Sequence, residues 1–146
     1  MNDIKVIRFD NLHDIELPHV FECGQCFRWN ECEDGSYIGV AGGHAAHVSL
    51  EHDGDSCSLI IECTGGSEDY WHSYFDLDTD YGAMKKALLA GEPKLAKSID
   101  VCHGIRILNQ DYWEVLISFI VSQNNNIPRI KKCIESLAKN YGTEIG

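Results

Sequence analysis

The sequence predicts an α+β fold in which an antiparallel β-sheet comes first and a group of helices follows. From Ile4 to about Cys63, short runs of alternating apolar and polar residues are separated by turn residues, which is typical of antiparallel strands. After Thr64-Gly65-Gly66, apolar residues recur at helical spacing and the connections between segments are short.

Two hairpins are predicted within the sheet. In the first, Phe27-Arg28-Trp29 and Tyr37-Ile38-Gly39-Val40 flank the turn residues Glu33-Asp34-Gly35-Ser36. In the second, a strand containing Val48 and Leu50 leads into an Asp53-Gly54 turn. The residues after that turn alternate, so one face of the returning strand should be buried: Cys57, Leu59, Ile61 and Cys63.

The first predicted helices follow from capping residues. Asp80 is a suitable N-cap for a helix that runs to about Leu89, where Gly91 and Pro93 end it. Pro93 in turn suits the first position of a second helix, which should extend to about Asp100.

A third helix should begin after Asp111, because Asp111 and Glu114 have the spacing of a capping box. Apolar side chains surround this helix on nearly all sides, and such a helix is expected in a core. One face carries Trp113, Leu116, Ile117 and Ile120, and another carries Tyr112, Val115 and Phe119.

The last helix has clear boundaries. Asn126 should be its N-cap, Pro128 lies in its first turn and Gly142 should end it. Its apolar stripe comprises Ile130, Cys133, Ile134, Leu137 and Tyr141, and its polar face holds Lys131, Lys132 and Lys139. Since no later segment could cover the apolar stripe, we expect the sequence to be the leading part of a longer protein.

Charge is distributed unevenly along the chain. The whole sequence has a net charge of -11, which does not suit a protein that neutralises phosphates. Residues 101–146, however, contain five Lys/Arg against four Asp/Glu, a net +1, while residues 1–100 contain seven against nineteen, a net -12. Any surface that faces nucleic acid should therefore lie in the last third.

The seven cysteines are not expected to form disulfides, because their number is odd and no secretory leader precedes them. Cys23 and Cys26 form a C-x-x-C, which could be half of a zinc site or a redox pair. No second pair of metal ligands follows and no thioredoxin-like pattern surrounds them, so buried structural thiols are favoured and no metal is expected.

Neither a signal peptide nor a transmembrane segment is predicted. The sequence does not open with a basic and apolar leader, and no apolar run approaches the roughly 20 residues that a membrane helix needs. We therefore expect an intracellular protein, cytoplasmic or associated with the nucleoid, that does not bind a membrane.

Three consecutive asparagines, Asn124, Asn125 and Asn126, separate the apolar helix from the basic one. An amide side chain both donates and accepts hydrogen bonds, so a rigidly held Asn can take the place of a base edge. With Arg129 one turn into the next helix, the group could bind a base or a phosphate. The structural alternative is that Asn126 caps the helix while Asn124 and Asn125 complete a tight turn.

Two motifs give the sequence a family resemblance. The segment Ser122-Gln123-Asn124-Asn125-Asn126-Ile127-Pro128-Arg129-Ile130 resembles the asparagine-rich motif of 8-oxoguanine DNA glycosylases of the helix-hairpin-helix superfamily. Upstream, Gly24-Gln25-Cys26-Phe27-Arg28-Trp29 resembles the G-Q-x-F-R-W signature of the same family. Gly104-Ile105-Arg106-Ile107-Leu108, followed by Asp111, also fits, so the likeness covers nearly the whole chain.

The resemblance implies two structural units. Residues 1–108 would form an N-terminal sheet-and-helix domain similar to half of the TATA-binding protein fold. Residues 109–146 would be the first helices of an incomplete helical glycosylase bundle. It also implies a monomer without cofactor that binds double-stranded DNA containing 8-oxoguanine.

The resemblance also assigns roles to residues. The Gly24 carbonyl would accept a hydrogen bond from N7 of 8-oxoguanine, which carries a proton, whereas N7 of guanine has a lone pair. Without the motif, Gly24 would be interpreted as a turn or bulge glycine. Asn124 would enter the gap left by the flipped nucleotide, and Arg129 would hold the orphaned cytosine. Asn125 and Asn126 would shape the turn, and Lys131 and Lys132, on a solvated face, would contact phosphate.

The supporting motif residues are Gln25, Phe27, Arg28 and Trp29. The last three are expected to have mainly a structural, scaffold role, and Arg28 is expected to bond to the backbone near the pocket. The role of Cys26, at a variable position of the motif, stays open.

In this family a lysine attacks the sugar and an aspartate assists, which releases the base and leads on to strand cleavage. The resemblance places both residues beyond position 146, so we expect none of the catalytic residues within this chain. The complete protein would be a base-excision repair enzyme with glycosylase and lyase activities. The alternative is a non-catalytic DNA- or protein-binding module, or a gene remnant.

Overall fold

The computed structural model describes residues 4–145, which form one antiparallel sheet and six helices. The strands are β1 (Lys5–Leu12), β2 (Trp29–Glu31), β3 (Tyr37–Ala41), β4 (His44–Asp53) and β5 (Ser56–Cys63). They lie in the order β1-β5-β4-β3-β2, and every neighbouring pair is antiparallel. The predicted α+β class is therefore correct.

Both predicted hairpins are present. Strands β2 and β3 pair with Trp29 opposite Gly39, and β4 and β5 pair with Val48 opposite Ile61. The first hairpin begins later than predicted, because Phe27 and Arg28 belong to the loop before β2. In the second, all the residues expected to face the core are buried: Cys57, Leu59, Ile61 and Cys63.

The helices are α1 (Leu17–Phe21), α2 (Glu68–Tyr74), α3 (Tyr81–Gly91), α4 (Ala96–Val101), α5 (Tyr112–Ser122) and α6 (Ile127–Tyr141), and a short 3-10 turn, Pro93–Leu95, precedes α4. The predicted caps of α3, α5 and α6 are confirmed. The side chains of Asp80, Asp111 and Asn126 each accept a backbone N–H from the first turn of their helix. Helix α1 was not predicted, since five residues are too few to show a period.

The core lies on one face of the sheet, where α1 and α2 pack against it. Aromatic rings fill most of it. Phe21 of α1 stacks on Trp29 of β2 with ring centroids 4.5 Å apart, and the indole N–H of Trp29 donates to the Tyr74 hydroxyl of α2 at 2.9 Å. This core fixes the position at which the chain leaves α1 and enters β2.

The segment between α4 and α5, residues 104–111, runs across the sheet domain in a conformation without regular secondary structure. Gly104 is required there, because a Cβ atom at this position would lie 2.4 Å from Cβ of Glu16. Two residues later Arg106 is 4% exposed. Its guanidinium donates to the carbonyl oxygens of Asp76 and His13 at 2.8 and 3.0 Å and lies over the ring of Tyr81.

The predicted core position of α5 is wrong for the part of the chain that the structure describes. Within residues 4–145, no residue of α5 is buried, and Tyr112 and Trp113 are 92% and 68% exposed. Helix α5 packs against α6 through Val121, and Ile117 lines a groove together with Ile134 and Leu137 of α6. The side chains of Phe119 and Ile120, like those of Tyr112 and Trp113, are exposed within these residues. On α6 the predicted stripe is buried at Ile130 and Ile134 but exposed at Leu137 and Tyr141.

None of the helices described between residues 4 and 145 is long and apolar enough to cross a lipid bilayer.

We expect Arg106→Met to destabilise the fold, because it removes the donor shared by two carbonyl oxygens from distant segments. The expected loss is about 2–4 kcal/mol in the free energy of unfolding, measured by urea denaturation. Arg129→Met is the matched control, since Arg129 is exposed and the change should stay within about 0.5 kcal/mol. Equal stability of the two variants would contradict this role of Arg106.

Candidate functional site

The Gly24 loop, residues 22–28, connects α1 to β2 and lies beside the start of α6. Gly24 is exposed and has φ +86°, a left-handed conformation that side chains disfavour. A Cβ atom at this position would lie 4.0 Å from Cδ1 of Ile127, the first residue of α6. The glycine motif and the asparagine motif, far apart in the sequence, therefore share one surface.

The side chain of Gln25 fixes the Gly24 loop. Its amide N–H₂ donates to the carbonyl oxygens of Val20 and Arg106, both at 2.8 Å, and its Oε1 accepts the N–H of Leu108 at 2.9 Å. In return the Gln110 side chain donates to the Gln25 carbonyl at 2.7 Å. The loop is therefore held against the end of α1 and against the segment that leads into α5. The carbonyl of Gln25, which follows Gly24, is held by the hydrogen bond from Gln110.

Phe27 and Trp29 connect the loop to two different cores. Phe27 is 8% exposed and packs with Ile130 and Ile134 of α6 in a small cluster separate from the main core. Trp29 is 1% exposed within the main core. These placements agree with the expected scaffold role and explain why both positions are aromatic.

Arg28 has a different partner from the one expected. Its guanidinium binds the carboxylate of Glu114 on α5 at 2.6 Å, and the two side chains are 29% and 22% exposed. The expectation that Arg28 bonds to backbone near the pocket therefore differs from its partner within residues 4–145, the Glu114 carboxylate. The full capping box predicted at the start of α5 is wrong: Asp111 caps the helix, but the Glu114 carboxylate is bound by Arg28. The pair ties the sheet domain to α5.

The asparagine turn, residues 124–126, uses its three side chains differently. Asn126 accepts the N–H of Arg129 as N-cap, and the Asn125 amide donates to the Val121 carbonyl and accepts the N–H of Asn126. Asn124 is exposed, has φ +51°, and makes no side-chain hydrogen bond within residues 4–145. Of the three amides, that of Asn124 is the one with neither its oxygen nor its nitrogen bonded within residues 4–145.

The basic residues near this turn fall into two groups. Arg129, expected to hold the orphaned cytosine, and Lys132, expected to contact phosphate, are both exposed. Lys131 does not lie on a solvated face: its Nζ donates to Oε1 of Glu22 at 2.9 Å and to the carbonyl oxygen of Trp29 at 3.0 Å, and its side chain is 22% exposed. Helix periodicity could not show this contact, since Glu22 and Trp29 lie in a distant part of the sequence.

The two cysteines of the C-x-x-C have different environments. Cys26 is buried, and burial raises the pKa of its thiol well above the usual value, so it stays protonated. Cys23 is exposed, which corrects the expectation that both thiols are buried. A buried, protonated thiol is a weak nucleophile, so the environment of Cys26 does not favour a redox pair.

One group of possible metal ligands escaped the sequence analysis. Ligand atoms of Cys32, Asp34 and His47 lie within 4.8 Å of one another at the turn between β2 and β3. Ser36 donates to Asp34 through its backbone N–H, and its hydroxyl also lies in hydrogen-bond distance of Asp34 and of one ring nitrogen of His47. The other ring nitrogen faces Glu62 at 2.9 Å. These hydrogen bonds account for the positions of Asp34 and His47, which both bind Ser36.

Comparison with known proteins gives the same family for the sequence and for the fold. The family model described as 8-oxoguanine DNA glycosylase, N-terminal domain, matches residues 7–116. Among curated relatives, an N-glycosylase/DNA lyase of Saccharomyces cerevisiae is 33% identical over 147 residues, covering 92% of this chain and 39% of the relative. The N-glycosylase/DNA lyase OGG1 of Arabidopsis thaliana is 27% identical, covering 91% of this chain and 37% of the relative.

Solved structures agree. MBOgg1 in complex with a low affinity DNA ligand has a TM-score of 0.88 and 46% identity, covering 99% of this chain and 50% of that one. The apo form of the Clostridium acetobutylicum 8-oxoguanine glycosylase/lyase has a TM-score of 0.84 and 41% identity, covering 99% and 50%. The chain thus spans about half the length of these solved relatives. The chain belongs to the 8-oxoguanine DNA glycosylase family, whose N-terminal domain it contains.

Proposed function

We propose that this chain supplies the lesion-recognition part of a base-excision repair enzyme that acts on 8-oxoguanine opposite cytosine in double-stranded DNA. The observation that supports this most directly is the shared surface of the Gly24 loop and the asparagine turn. The Clostridium acetobutylicum relative has also been solved with DNA containing cytosine opposite 8-oxoguanine, and it matches this chain with a TM-score of 0.82 and 39% identity.

Recognition of the base depends on a single proton. 8-Oxoguanine carries N7–H, which donates to a carbonyl oxygen, whereas guanine presents a lone pair that the same oxygen repels. The Gly24 carbonyl would be this acceptor, in a loop whose conformation Gln25 fixes. A hydrogen bond made with one base and left unpaired with the other is worth roughly 1–3 kcal/mol, about tenfold to a hundredfold in affinity.

The asparagine turn would stabilise the DNA after the damaged nucleotide leaves the helix. Flipping costs a few kcal/mol of stacking and pairing, and groups that replace the lost partner reduce that cost. Asn124 would fill the gap with its available amide, Arg129 would bind the orphaned cytosine, and Lys132 would bind phosphate. We propose that the protein acts as a monomer inside the cell, with residues 1–108 and 109–146 as its two units.

The chemistry of the complete protein is proposed from the family: hydrolysis of the N-glycosidic bond, with associated lyase activity at the abasic site. A lysine amine would form a Schiff base with the sugar. Within residues 4–145 we assign this role to no residue. Lys131 donates to Glu22 and Trp29, and Lys132 lies exposed on α6.

We expect borohydride not to trap this chain on duplex DNA containing 8-oxoguanine, because neither Lys131, bound to Glu22, nor Lys132, exposed to solvent, has the environment of a Schiff-base nucleophile. The measurement is a denaturing gel after incubation with labelled duplex and borohydride. A covalent adduct would contradict the assignment and place a catalytic lysine within this chain.

Gly24→Ala should destabilise the chain by about 1–2 kcal/mol, since an alanine at φ +86° is strained although space for its methyl exists. It should also weaken the preference for 8-oxoguanine over guanine. Gly91→Ala is the matched control, because Gly91 lies at the end of α3 with open space around it and no positive φ. Urea unfolding and duplex binding measure the two effects. An unchanged preference for 8-oxoguanine, with the stability lowered as expected, would make Gly24 an ordinary turn residue.

Two asparagines of the turn should respond differently to truncation. Asn124→Gly keeps the left-handed backbone and removes an amide without internal partners, so it should weaken lesion binding and leave the melting temperature nearly unchanged. Asn126→Ala removes the N-cap of α6 and should cost about 1 kcal/mol of stability. Thermal melts and binding to an 8-oxoguanine duplex compare them. If Asn124→Gly binds the 8-oxoguanine duplex as tightly as the unchanged chain, Asn124 has only a structural role in the turn.

A further inference from the structure

Lys131 contacts both ends of the Gly24 loop. Glu22, at the start of the loop, accepts from its Nζ at 2.9 Å, and the carbonyl of Trp29, the residue after the loop, accepts from the same Nζ at 3.0 Å. Lys131 itself lies on α6, the helix that the asparagine turn begins. One ammonium group therefore connects the two ends of the loop to the helix that carries the turn.

The rest of the contact between the loop and α6 is apolar. Phe27 packs on Ile130 and Ile134, and Ile127 lies beside Gly24. Apolar contacts hold two surfaces together but do not define one position along them, since they are not directional. A cation that donates to a carboxylate and a carbonyl is directional and stronger than a neutral hydrogen bond. Lys131 therefore supplies the directional part of the contact between the loop and α6.

We propose that Lys131 is a positioning residue that sets the distance between the Gly24 carbonyl and the Asn124 amide, and thereby the preference for 8-oxoguanine over guanine. This inference rests on the function proposed above. It replaces the expected role of Lys131 as a phosphate contact, because its donors are directed at Glu22 and Trp29.

The two roles of Lys131 predict different responses to DNA. A phosphate contact adds affinity for any duplex, so its loss lowers binding to damaged and undamaged DNA equally and reduces the salt slope by about 1. A positioning residue changes the ratio of the two affinities. Lys132, its exposed neighbour on the same helix, is the matched comparison for charge and length.

The experiment measures the affinity of the chain for duplexes with 8-oxoguanine or guanine opposite cytosine, over a salt series. Lys131→Met should lower the affinity ratio about threefold to tenfold. Lys132→Met should lower both affinities and leave the ratio unchanged. Glu22→Gln keeps the Trp29 contact and should give an intermediate ratio. Equal losses for both duplexes in Lys131→Met, or tighter binding of both duplexes in Glu22→Gln, would show that Lys131 serves phosphate and overturn the inference.

A measurement without DNA tests the contact itself. Amide hydrogen exchange across residues 22–29 should be about tenfold faster in Lys131→Met than in Lys132→Met. Exchange as slow as in the unchanged chain would overturn the inference even if binding is altered. No preference for 8-oxoguanine in the unchanged chain would instead contradict the proposed function. If the unchanged chain shows no such preference but its loop still exchanges more slowly than that of Lys131→Met, the Lys131 contact is supported and only the proposed function fails.

Discussion

The hydrogen bonds of the Gln25 side chain are the constraint on which the proposed site depends. One amide joins the end of α1, the Gly24 loop and the segment that leads to α5, and the Arg106 carbonyl that it binds is 81 residues away in sequence. Buried Arg106 holds that segment to the sheet domain. Gly24 can therefore be exposed and left-handed while the loop keeps its shape, because the backbone of the next residue, Gln25, is held by Gln110.

Much of the fold follows from short-range signals in the sequence. The hairpin at Asp53-Gly54 and the alternation after it predict the β4-β5 pair, and Asp80 and Asn126 predict the starts of α3 and α6. These features depend on local backbone geometry and on period, which a single sequence displays directly. The residues of the candidate site were chosen from the family resemblance rather than from periodicity.

The ion pairs that the sequence analysis missed depend on contacts between distant residues. Arg28 binds Glu114 and Lys131 binds Glu22, and nothing in the local sequence indicates either partner. The burial of α5 was overestimated for a related reason. An apolar helix surface predicts burial, but it does not indicate whether the residues that bury it lie within residues 4–145. The chain spans about half the length of its solved relatives, and its apolar α5 surface is exposed within residues 4–145.

The central claim is that the Gly24 loop and the asparagine turn bind one nucleotide as a single site. Its most direct test follows the backbone amide signals of ¹⁵N-labelled protein by NMR during titration with a duplex containing 8-oxoguanine opposite cytosine. Signals from Gly24, Gln25 and Asn124 should shift together with one dissociation constant, and less with the guanine duplex. Shifts confined to another surface, or different dissociation constants for the two segments, would contradict the claim.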